Sequence, residues 1–339
     1  MLRCRSHGHS LIPVPTGEVE KAATLTCPGG CSVRVVRGIP RFVDASRYAS
    51  GFGLQWNAYR RTQLDSETGI PISRARLTRC LGGSLETLRG ARVLEVGGGA
   101  GRFTEIMIEA GAHVFACDLS DAVEANFDNC AGLAGPDHYF VAQADVNELP
   151  TAPGSFDVVV ALGMIQHTPS PEQTILALAR EVKPGGFLAL DHYTAGTHGL
   201  LWRALVAVSP RSLSRQVLLW LPAPAALRVS AALTRALLPL HRACWRPGPL
   251  ARAGRRFLRL VSPVFDYYDK LPQLSPSRLE EWALLDTHDG LTDRFKHLRT
   301  VEEIASALSA AGFEEITAVY AGNGVEARGR RRAAAPSVT

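Results

Sequence analysis

Residues 92–101 read RVLEVGGGAG, and this stretch decides the fold of the 339-residue chain. The apolar run at residues 92–96 predicts a buried parallel strand, and residues 101–110, GRFTEIMIEA, predict a helix. A strand that passes through glycine into a helix forms a ligand site. Glycine allows the backbone to turn tightly and allows a ligand to approach it closely. We therefore expect this turn to lie in a binding site.

The spacing of the glycines indicates the kind of ligand. Arg102 occupies the place of the last glycine in the dinucleotide fingerprint Gly-x-Gly-x-x-Gly. The pattern is instead acidic-x-Gly-x-Gly-x-Gly, which resembles the first motif of class I S-adenosylmethionine-dependent methyltransferases. The resemblance implies that Glu95, Gly97, Gly99 and Gly101 belong to an S-adenosylmethionine site.

The next two predicted strands carry acids at the positions that this family needs. The strand AHVFACD ends in Asp118, and an acid there accepts hydrogen bonds from the ribose hydroxyls in nucleotide-binding folds. The resemblance places Leu119 beside it in the same site. The strand FVAQADV contains Asp145, and the family implies that Asp145 or its neighbour Val146 binds the adenine amino group.

Two further strands complete the resemblance. The strand at residues 156–162 runs into GMIQHT, in which Gln166 is another candidate cofactor contact. A Pro-Gly-Gly turn at residues 184–186 precedes the strand at residues 187–191, and the same family carries such a turn there. Five features in the expected order favour a methyltransferase over a generic α/β domain with acids at its strand ends.

The resemblance implies an α/β fold: a Rossmann-like, seven-stranded methyltransferase sheet with a small N-terminal zinc-ribbon-like module and a helical cap insertion. A helix at residues 301–311, a strand at 313–320 and an antiparallel edge strand at 325–330 are expected to close the sheet. The predicted divisions are a module at 1–45, connecting or lid helices at 46–90, a core at 91–193 plus 300–331, a cap and acceptor region at 194–299, and a disordered tail at 332–339.

The composition is that of a soluble globular protein, with 46% hydrophobic and 20% charged residues. The N-terminal residues lack the apolar core of a signal peptide, and no apolar run reaches the roughly 18 residues of a spanning helix. Seven cysteines in such a chain indicate free thiols or metal ligands. We expect a cytoplasmic protein, with peripheral membrane contact as an option and no nucleic-acid partner.

Two ligand pairs near the N-terminus indicate a metal site. Cys4 and His7 form one pair, Cys27 and Cys31 form the other, and 19 residues separate them. Four such ligands can surround one tetrahedral, structural Zn²⁺. The segment resembles the zinc-ribbon-like module that precedes some bacterial methyltransferases, in which both pairs are usually Cys-x-x-Cys. His9 competes with His7 as the ligand, and the alternative is a module that keeps its shape without metal.

The segment before the glycine turn is dense in aromatic and polar residues. In many class I methyltransferases this part of the chain forms a helix that closes over the cofactor. By that resemblance Tyr59, Arg60 and Gln63 are candidates to touch the carboxylate end of S-adenosylmethionine. The alternative is a helix that only packs on the sheet.

A basic insertion follows the fifth strand. Residues 192–265 hold 11 arginines and no acid, with predicted helices at 200–208 and 225–238 and prolines that divide the segment into short pieces. Arg228 and Arg235 are seven residues apart and share a helix face. Three interpretations stay open: a plain packing cap, an interfacial membrane segment, or a lid over an acceptor phosphate.

The predicted reaction is methyl transfer from S-adenosylmethionine to a small-molecule, glycan or lipid-linked acceptor, as O-methylation. Removal of a hydroxyl proton suits histidine, and the candidate bases are His167, His192 and His288. The resembling family has no universal catalytic residue to carry over. The alternatives are a cofactor-binding regulatory or scaffold protein and a nucleotide-dependent oxidoreductase, the latter disfavoured by Arg102.

Overall fold

The computed structural model describes residues 2–14, 24–43, 48–194, 209–245 and 247–333, without the side chains of residues 259 and 260. Its strands form one eleven-stranded sheet. In chain order they are β1 Ile12–Val14, β2 Thr24–Thr26, β3 Ser32–Val36, β4 Ile39–Arg41, β5 Arg92–Val96, β6 His113–Asp118, β7 Tyr139–Gln143, β8 Phe156–Ala161, β9 Val182–His192, β10 Phe313–Ala321 and β11 Gly324–Arg331.

Eleven helices lie in the same described residues. They are α1 Ser50–Ala58, α2 Asp65–Thr68, α3 Ile72–Cys80, α4 Thr104–Glu109, α5 Ala122–Cys130, α6 Pro171–Glu181, α7 Pro210–Leu218, α8 Ala223–Cys244, α9 Pro249–Val261, α10 Pro276–Thr292 and α11 Val301–Ala310. The helix predicted at 200–208 lies outside the described residues. No helix among the described residues is long and apolar enough to cross a membrane.

The seven C-terminal strands form the predicted sheet in the order β7-β6-β5-β8-β9-β11-β10. The first five are parallel, and β11 runs antiparallel to both β9 and β10. The prediction that β11 is the edge strand is wrong, because β10 occupies the edge. Side-chain burial agrees with β11 as the inner strand and β10 as the edge strand. Val325 and Ala327 of β11 are buried, whereas Val319 and Tyr320 of β10 are each 49% exposed.

Successive residues of the parallel strands face opposite sides of the sheet, and both sides are covered. Leu94 of β5 packs in a cluster with α6 and α11, whereas Val93 packs in a cluster with α3, α4 and α5. This three-layer arrangement explains the near-continuous apolar strands in the sequence. The Pro-Gly-Gly turn predicted before the fifth strand lies inside β9, where the pairing with β8 shifts register between Phe156 and Val158.

The N-terminal module continues the core sheet. Strands β1 to β4 pair antiparallel in sequence, and β4 joins β7 by a parallel pairing of Arg41 with Gln143. Arg41 also forms an ion pair with Glu124 of α5 at 2.6 Å. The module therefore rests on the edge of the core, on the side of β7.

The described part of the insertion forms helices α7, α8 and α9, which pack with α10 as a cap. Pro239 lies inside the 22-residue α8, so the prediction that it ends a short piece is wrong. The packing of α8 against α10 outweighs the hydrogen bond that proline removes. Prolines do stand in the first turns of α7, α8 and α9, where their missing N–H groups are tolerated.

Candidate active site

A cavity of about 920 Å³ lies at the carboxyl ends of the parallel strands. Its floor is the glycine turn after β5, one wall is formed by α1 and α3, and another by α10. The carboxyl edge of an open parallel sheet is where α/β folds bind ligands. Of the described cap, helix α10 thus lies over the same edge that the sequence singled out.

Two glycines of the turn line this cavity and require glycine. Gly97 has φ +75°, and a Cβ there would lie 2.5 Å from Met164 Cβ. Gly99 has φ +50°, and a Cβ there would lie 3.3 Å from the Trp56 indole. Any side chain at these positions would occupy ligand space or displace a wall of the cavity.

Glu95 and Gly101 do not line the cavity, which corrects their predicted contact with the cofactor. The Glu95 side chain is buried behind the turn, where it accepts a hydrogen bond from Thr104. Burial raises the pKa of Glu95 to about 8, despite that hydrogen bond. A Cβ at Gly101 would lie 2.6 Å from Cys130 Sγ, so this glycine serves helix packing. Both residues support the turn from behind.

Asp118, the last residue of β6, lines the cavity. Its Oδ2 accepts from the Gly99 N–H at 3.1 Å, and its Oδ1 accepts from the Ser120 N–H and hydroxyl. Burial raises the pKa of Asp118, and these hydrogen bonds oppose the shift. Leu119, Asp145 and Val146 also line the cavity. These residues lie at the ends of the adjacent strands β6 and β7.

Gln166, by contrast, is fully buried outside the cavity. Neither atom of its side-chain amide has a hydrogen-bond partner in the structure. The sequence did not indicate which of the neighbours Gln166 and His167 would face the cavity and which would face the protein core. The structure does not bring Gln166 to the predicted cofactor contact.

Helix α1 lines one side of the cavity. Its Gln55 is 1% exposed, and Oε1 of that side chain faces no hydrogen-bond donor. Gln63, in the following turn, also lines the cavity. Tyr59 and Arg60 do not, and the Arg60 guanidinium instead contacts Asp128 at 2.6 Å on the outside. All three candidate residues follow the end of α1 at Ala58, and only Gln63 turns back to the cavity.

Only one of the three candidate histidines reaches the cavity. His167 lines it, with its ring tilted against Phe52 and edge-on to Tyr193, and burial lowers its pKa to about 4. His192 is buried against the backbone, with its Nδ1 2.8 Å from the Tyr193 carbonyl oxygen, and burial lowers its pKa.

His288 faces the cap interior instead. Its Nδ1 lies 3.2 Å from the Ser230 hydroxyl of α8, and burial lowers its pKa to about 4. The helical periodicity of α10 explains the difference, because residues 286 and 289 lie on one face and residue 288 on another. His192 and His288 are therefore corrected from base candidates to packing residues.

Sequence reasoning missed two carboxylates on the cavity side of α10. Asp286 accepts from the Tyr267 hydroxyl and from Gln63 Nε2 at 3.2 Å. Asp289 accepts from the Tyr193 hydroxyl at 3.4 Å. Burial raises the pKa of each carboxyl to about 6. Their spacing of three residues, which puts two side chains on one face of any helix, was the available signal.

Arg102 was also missed as a site residue. Its sequence position only argued against a dinucleotide fold, but its side chain lines the cavity. Burial, followed by the charge of Arg76, lowers the pKa of its guanidinium to about 10. Arg76 itself is paired with the buried Asp191, which also accepts the Gly163 N–H at 2.7 Å.

The four predicted metal ligands lie together in the N-terminal module. Their ligand atoms all lie within 4.8 Å of one another. His7 Nδ1 is 3.6 Å from Cys4 Sγ and 3.5 Å from Cys27 Sγ and Cys31 Sγ. Sulfur and nitrogen ligands of a tetrahedral zinc ion lie about 3.6 Å apart. The donor set and the spacing therefore fit Zn²⁺.

The central part of the chain matches a known family. Residues 94–190, from β5 to β9, match the family described as the methyltransferase domain. These residues are a methyltransferase domain. It contains the glycine turn, Asp118, Asp145 and the parallel strands β5 to β9, to which β10 and β11 are added in the predicted seven-stranded sheet.

Curated relatives of this methyltransferase domain act in ubiquinone biosynthesis. The chain is 37% identical over 107 residues to the ubiquinone biosynthesis O-methyltransferase of Pseudomonas aeruginosa strain UCBPP-PA14, covering 31% of this chain and 45% of that protein. It is 39% identical over 106 residues to the protein of the same name from Xanthomonas oryzae pv. oryzae, covering 31% and 44%. The chain thus spans less than half the length of these relatives.

Solved structures show a distant similarity to the chain. Phosphoethanolamine N-methyltransferase 2 of Haemonchus contortus is 16% identical, with a TM-score of 0.43, and the match covers 82% of this chain and 45% of that one. An S-adenosylmethionine-dependent methyltransferase of Methanosarcina mazei is 15% identical, with a TM-score of 0.41, and the match covers 73% and 94%.

Proposed function

We propose that the protein transfers a methyl group from S-adenosylmethionine to a hydroxyl of a small-molecule acceptor. The observation that carries this proposal is the cavity itself, in which a methyltransferase domain presents its glycine turn, Asp118 and Asp145. The names of the curated relatives favour O-methylation. A volume of about 920 Å³ is at the upper end of common ligand pockets, which leaves room for an acceptor beside the cofactor.

The residues present fit S-adenosylmethionine. Gly97 and Gly99 leave space that a Cβ would fill. The side-chain oxygen Oε1 of Gln55 is buried and accepts no hydrogen bond from any described residue. Asp118 would accept from the ribose hydroxyls, and Asp145 with Val146 would border the adenine. When bound, the sulfonium supplies an electrophilic methyl group. The chain's own contribution is to align the reactants and to exclude water beneath α1 and α10.

Titration calorimetry with S-adenosylmethionine and with NAD tests this proposal. We expect S-adenosylmethionine to bind and NAD not to bind, because Arg102 replaces the last glycine of the dinucleotide fingerprint. Asp118→Ala should weaken the S-adenosylmethionine affinity by about 5- to 150-fold, the cost of leaving ribose hydroxyls without a buried acceptor. Unchanged affinity in a folded Asp118→Ala protein would contradict the placement of the ribose. Cofactor binding without any methylated product would favour a regulatory or scaffold protein.

Asp289 is the group best placed to receive the acceptor proton. It faces the cavity, and its raised pKa of about 6 leaves it ionised at pH 7 yet more basic than an ordinary carboxylate. Among the described residues, its carboxylate accepts one hydrogen bond, from the Tyr193 hydroxyl at 3.4 Å. His167 is less suited, because a pKa of about 4 makes it a weak base.

Asp289→Asn should lower the methylation rate by about 100- to 10,000-fold, the usual contribution of a general base. With 3,4-dihydroxybenzoate as a phenolic probe, the wild-type rate should fall as pH decreases through about 6, where Asp289 becomes protonated. This acidic limb should disappear in Asp289→Asn. The matched control is His288→Asn on the same helix, which should keep the limb. A limb that persists in Asp289→Asn assigns the proton to another group.

The basic insertion, which holds no acid of its own, is partly neutralised by acids outside it. Arg215 pairs with the buried Asp293 at 2.9 Å, and Arg235 pairs with Glu280 at 3.1 Å. No described residue between 209 and 261 lines the cavity. The described helices therefore give no support to a lid that reads an acceptor phosphate.

We also propose that α7, α8 and α9 contact an anionic membrane surface. Eight of the fifteen large apolar side chains exposed in the described residues lie between residues 213 and 257. Trp220 is 89% exposed and Leu250 is 86% exposed. Arg252 and Arg256 of α9 are exposed and form no ion pair with any described residue. Exposed apolar groups beside unpaired arginines are typical of interfacial helices.

Flotation with vesicles of phosphatidylcholine and phosphatidylglycerol tests the membrane proposal. We expect binding that weakens with salt, because the attraction of each arginine, about 1 kcal/mol, is screened over roughly 8 Å at physiological ionic strength. Arg252→Glu with Arg256→Glu should abolish flotation. Reversal of Arg34 and Arg89, which are also exposed, changes the net charge equally and should not. Absence of flotation of the wild type at low salt would leave only a packing cap.

A further inference from the structure

The guanidinium of Arg102 is a cation without a carboxylate partner at the floor of the cavity. Its Nε donates to the Ser73 hydroxyl at 3.0 Å, and its Nη1 donates to Gln63 Oε1. Both partners are neutral, and no described carboxylate forms an ion pair with Arg102. The nearest lining cation on α3, Arg76, is already satisfied by Asp191. Arg102 is therefore arranged to receive an anion from a ligand.

The amide of Gln63 connects Arg102 to a carboxylate. Its Oε1 accepts from Arg102, and its Nε2 donates to Asp286 Oδ1 at 3.2 Å. Gln63 is 5% exposed, so its two bonds fix the spacing between the two charged groups. The guanidinium of Arg102 can bind an anionic group of a ligand, and the carboxylate of Asp286 can bind a cationic group. Because one amide joins the two, they suit a ligand whose anionic and cationic groups are close together.

We infer that Arg102 and Asp286, bridged by Gln63, bind the α-amino acid end of S-adenosylmethionine. Arg102 would hold the carboxylate, and Asp286 would hold the ammonium group. We name this set of three residues the zwitterion clamp. The inference rests on the proposed function, and it deepens it by assigning the methionine end of the same site.

The position of the clamp in the sheet agrees with this assignment. Asp118 ends β6 and Asp145 follows β7, on one side of the glycine turn after β5. The Arg102 side chain approaches Arg76, which is bound to Asp191 of β9, on the other side of β5. A ligand with its adenosine at β6 and β7 would extend its tail across the turn toward Arg102.

Calorimetry with two nucleosides tests the clamp. S-adenosylhomocysteine carries the α-amino acid, whereas 5′-methylthioadenosine has the same adenosine and sulfur but lacks the carboxylate and the ammonium. Arg102→Met and Asp286→Asn should each weaken S-adenosylhomocysteine binding by about 10- to 100-fold, the usual effect of losing a charge-assisted hydrogen bond. Binding of 5′-methylthioadenosine should change by less than about twofold. Retained binding of this second nucleoside also shows that the variant is folded.

Arg89→Met is the matched control. Arg89 is exposed and lies outside the cavity, so this variant makes the same kind of change in charge without touching the clamp. It should leave both affinities unchanged, and Arg102→Lys should recover part of the lost affinity. If wild-type protein binds S-adenosylhomocysteine and neither clamp variant changes its preference over 5′-methylthioadenosine, the clamp is wrong and the proposed function stands. If wild-type protein binds neither nucleoside, both fail.

Discussion

Gly99→Arg is expected to abolish S-adenosylmethionine binding, with an affinity loss of at least about 100-fold. The position lines the cavity, and even a Cβ would contact the Trp56 indole at 3.3 Å. A long side chain would occupy the cofactor space and displace α1. The backbone φ of +50° adds strain for any residue other than glycine, roughly 1–2 kcal/mol of folding stability. Calorimetry with S-adenosylmethionine and thermal unfolding of the same samples measure both effects.

Gly90→Arg separates the loss of space from the backbone strain. Gly90 has a φ of +68°, and nothing lies within 4 Å of a Cβ built there. Because it lies before β5 and outside the cavity, Gly90→Arg should carry a similar stability loss and keep its affinity for the cofactor. Equal affinities in the two variants would show that the cofactor does not lie over the turn.

Zinc is expected at one equivalent per chain, held by Cys4, His7, Cys27 and Cys31. Metal binding of this kind contributes about 10–16 kcal/mol in isolated zinc-finger peptides, so its removal should unfold the module. The core of the module is small, with Cys4, Leu11 and Cys27 as its buried apolar residues. Elemental analysis gives the stoichiometry, and hydrogen exchange of residues 2–14 and 24–43 after chelation reports the unfolding.

Cys31→Ser should lose the metal, whereas Cys244→Ser, a free thiol outside the module, should keep it. Cofactor affinity should be unchanged by chelation, because the module meets the core at β7 and contributes no residue to the cavity. Protein produced with ample zinc that contains none would refute the site and favour a module that holds its shape alone.

Sequence periodicity and motif order predicted the core well, for a physical reason. A buried parallel strand must be apolar on both faces, and a turn from strand to helix at a ligand needs glycine, so both leave a local signal. The order of β5 to β9 and the inward positions of Gly97, Gly99 and Asp118 follow from such signals. The four metal ligands were also local, as two short-spaced pairs.

The direction of individual side chains did not follow from the sequence. His288 was a reasonable base by residue type, yet it packs on Ser230 of α8, while Asp289 one position later faces the cavity. Tyr59 and Gln63 stood as equal candidates, and only Gln63 lines the cavity. For His288 and Asp289 the rotation of α10 decides, and that rotation is set by the helices that α10 packs against; for Tyr59 and Gln63 the course of the turn after α1 decides.

The counter-charges of the insertion were equally invisible in the chain order. The sequence showed 11 arginines without a local acid, and the fold brings Asp293 to Arg215 and Glu280 to Arg235 from a distant helix. Ion pairs form between residues that are close in space. The sequence therefore predicts ion-pair partners only within one helix or strand, and not between distant segments.

The sequence by itself determined the strand–turn–helix unit, the acids that follow β6 and β7, and the ligand pairs of the module, because each depends on residues close together in the chain. Only the tertiary structure decided that β11 lies inside the sheet, that Arg102, Gln63 and Asp286 meet in one cavity, and that Glu95 lies behind the turn. These features depend on contacts between segments up to 223 residues apart, which are fixed when the layers pack and not before.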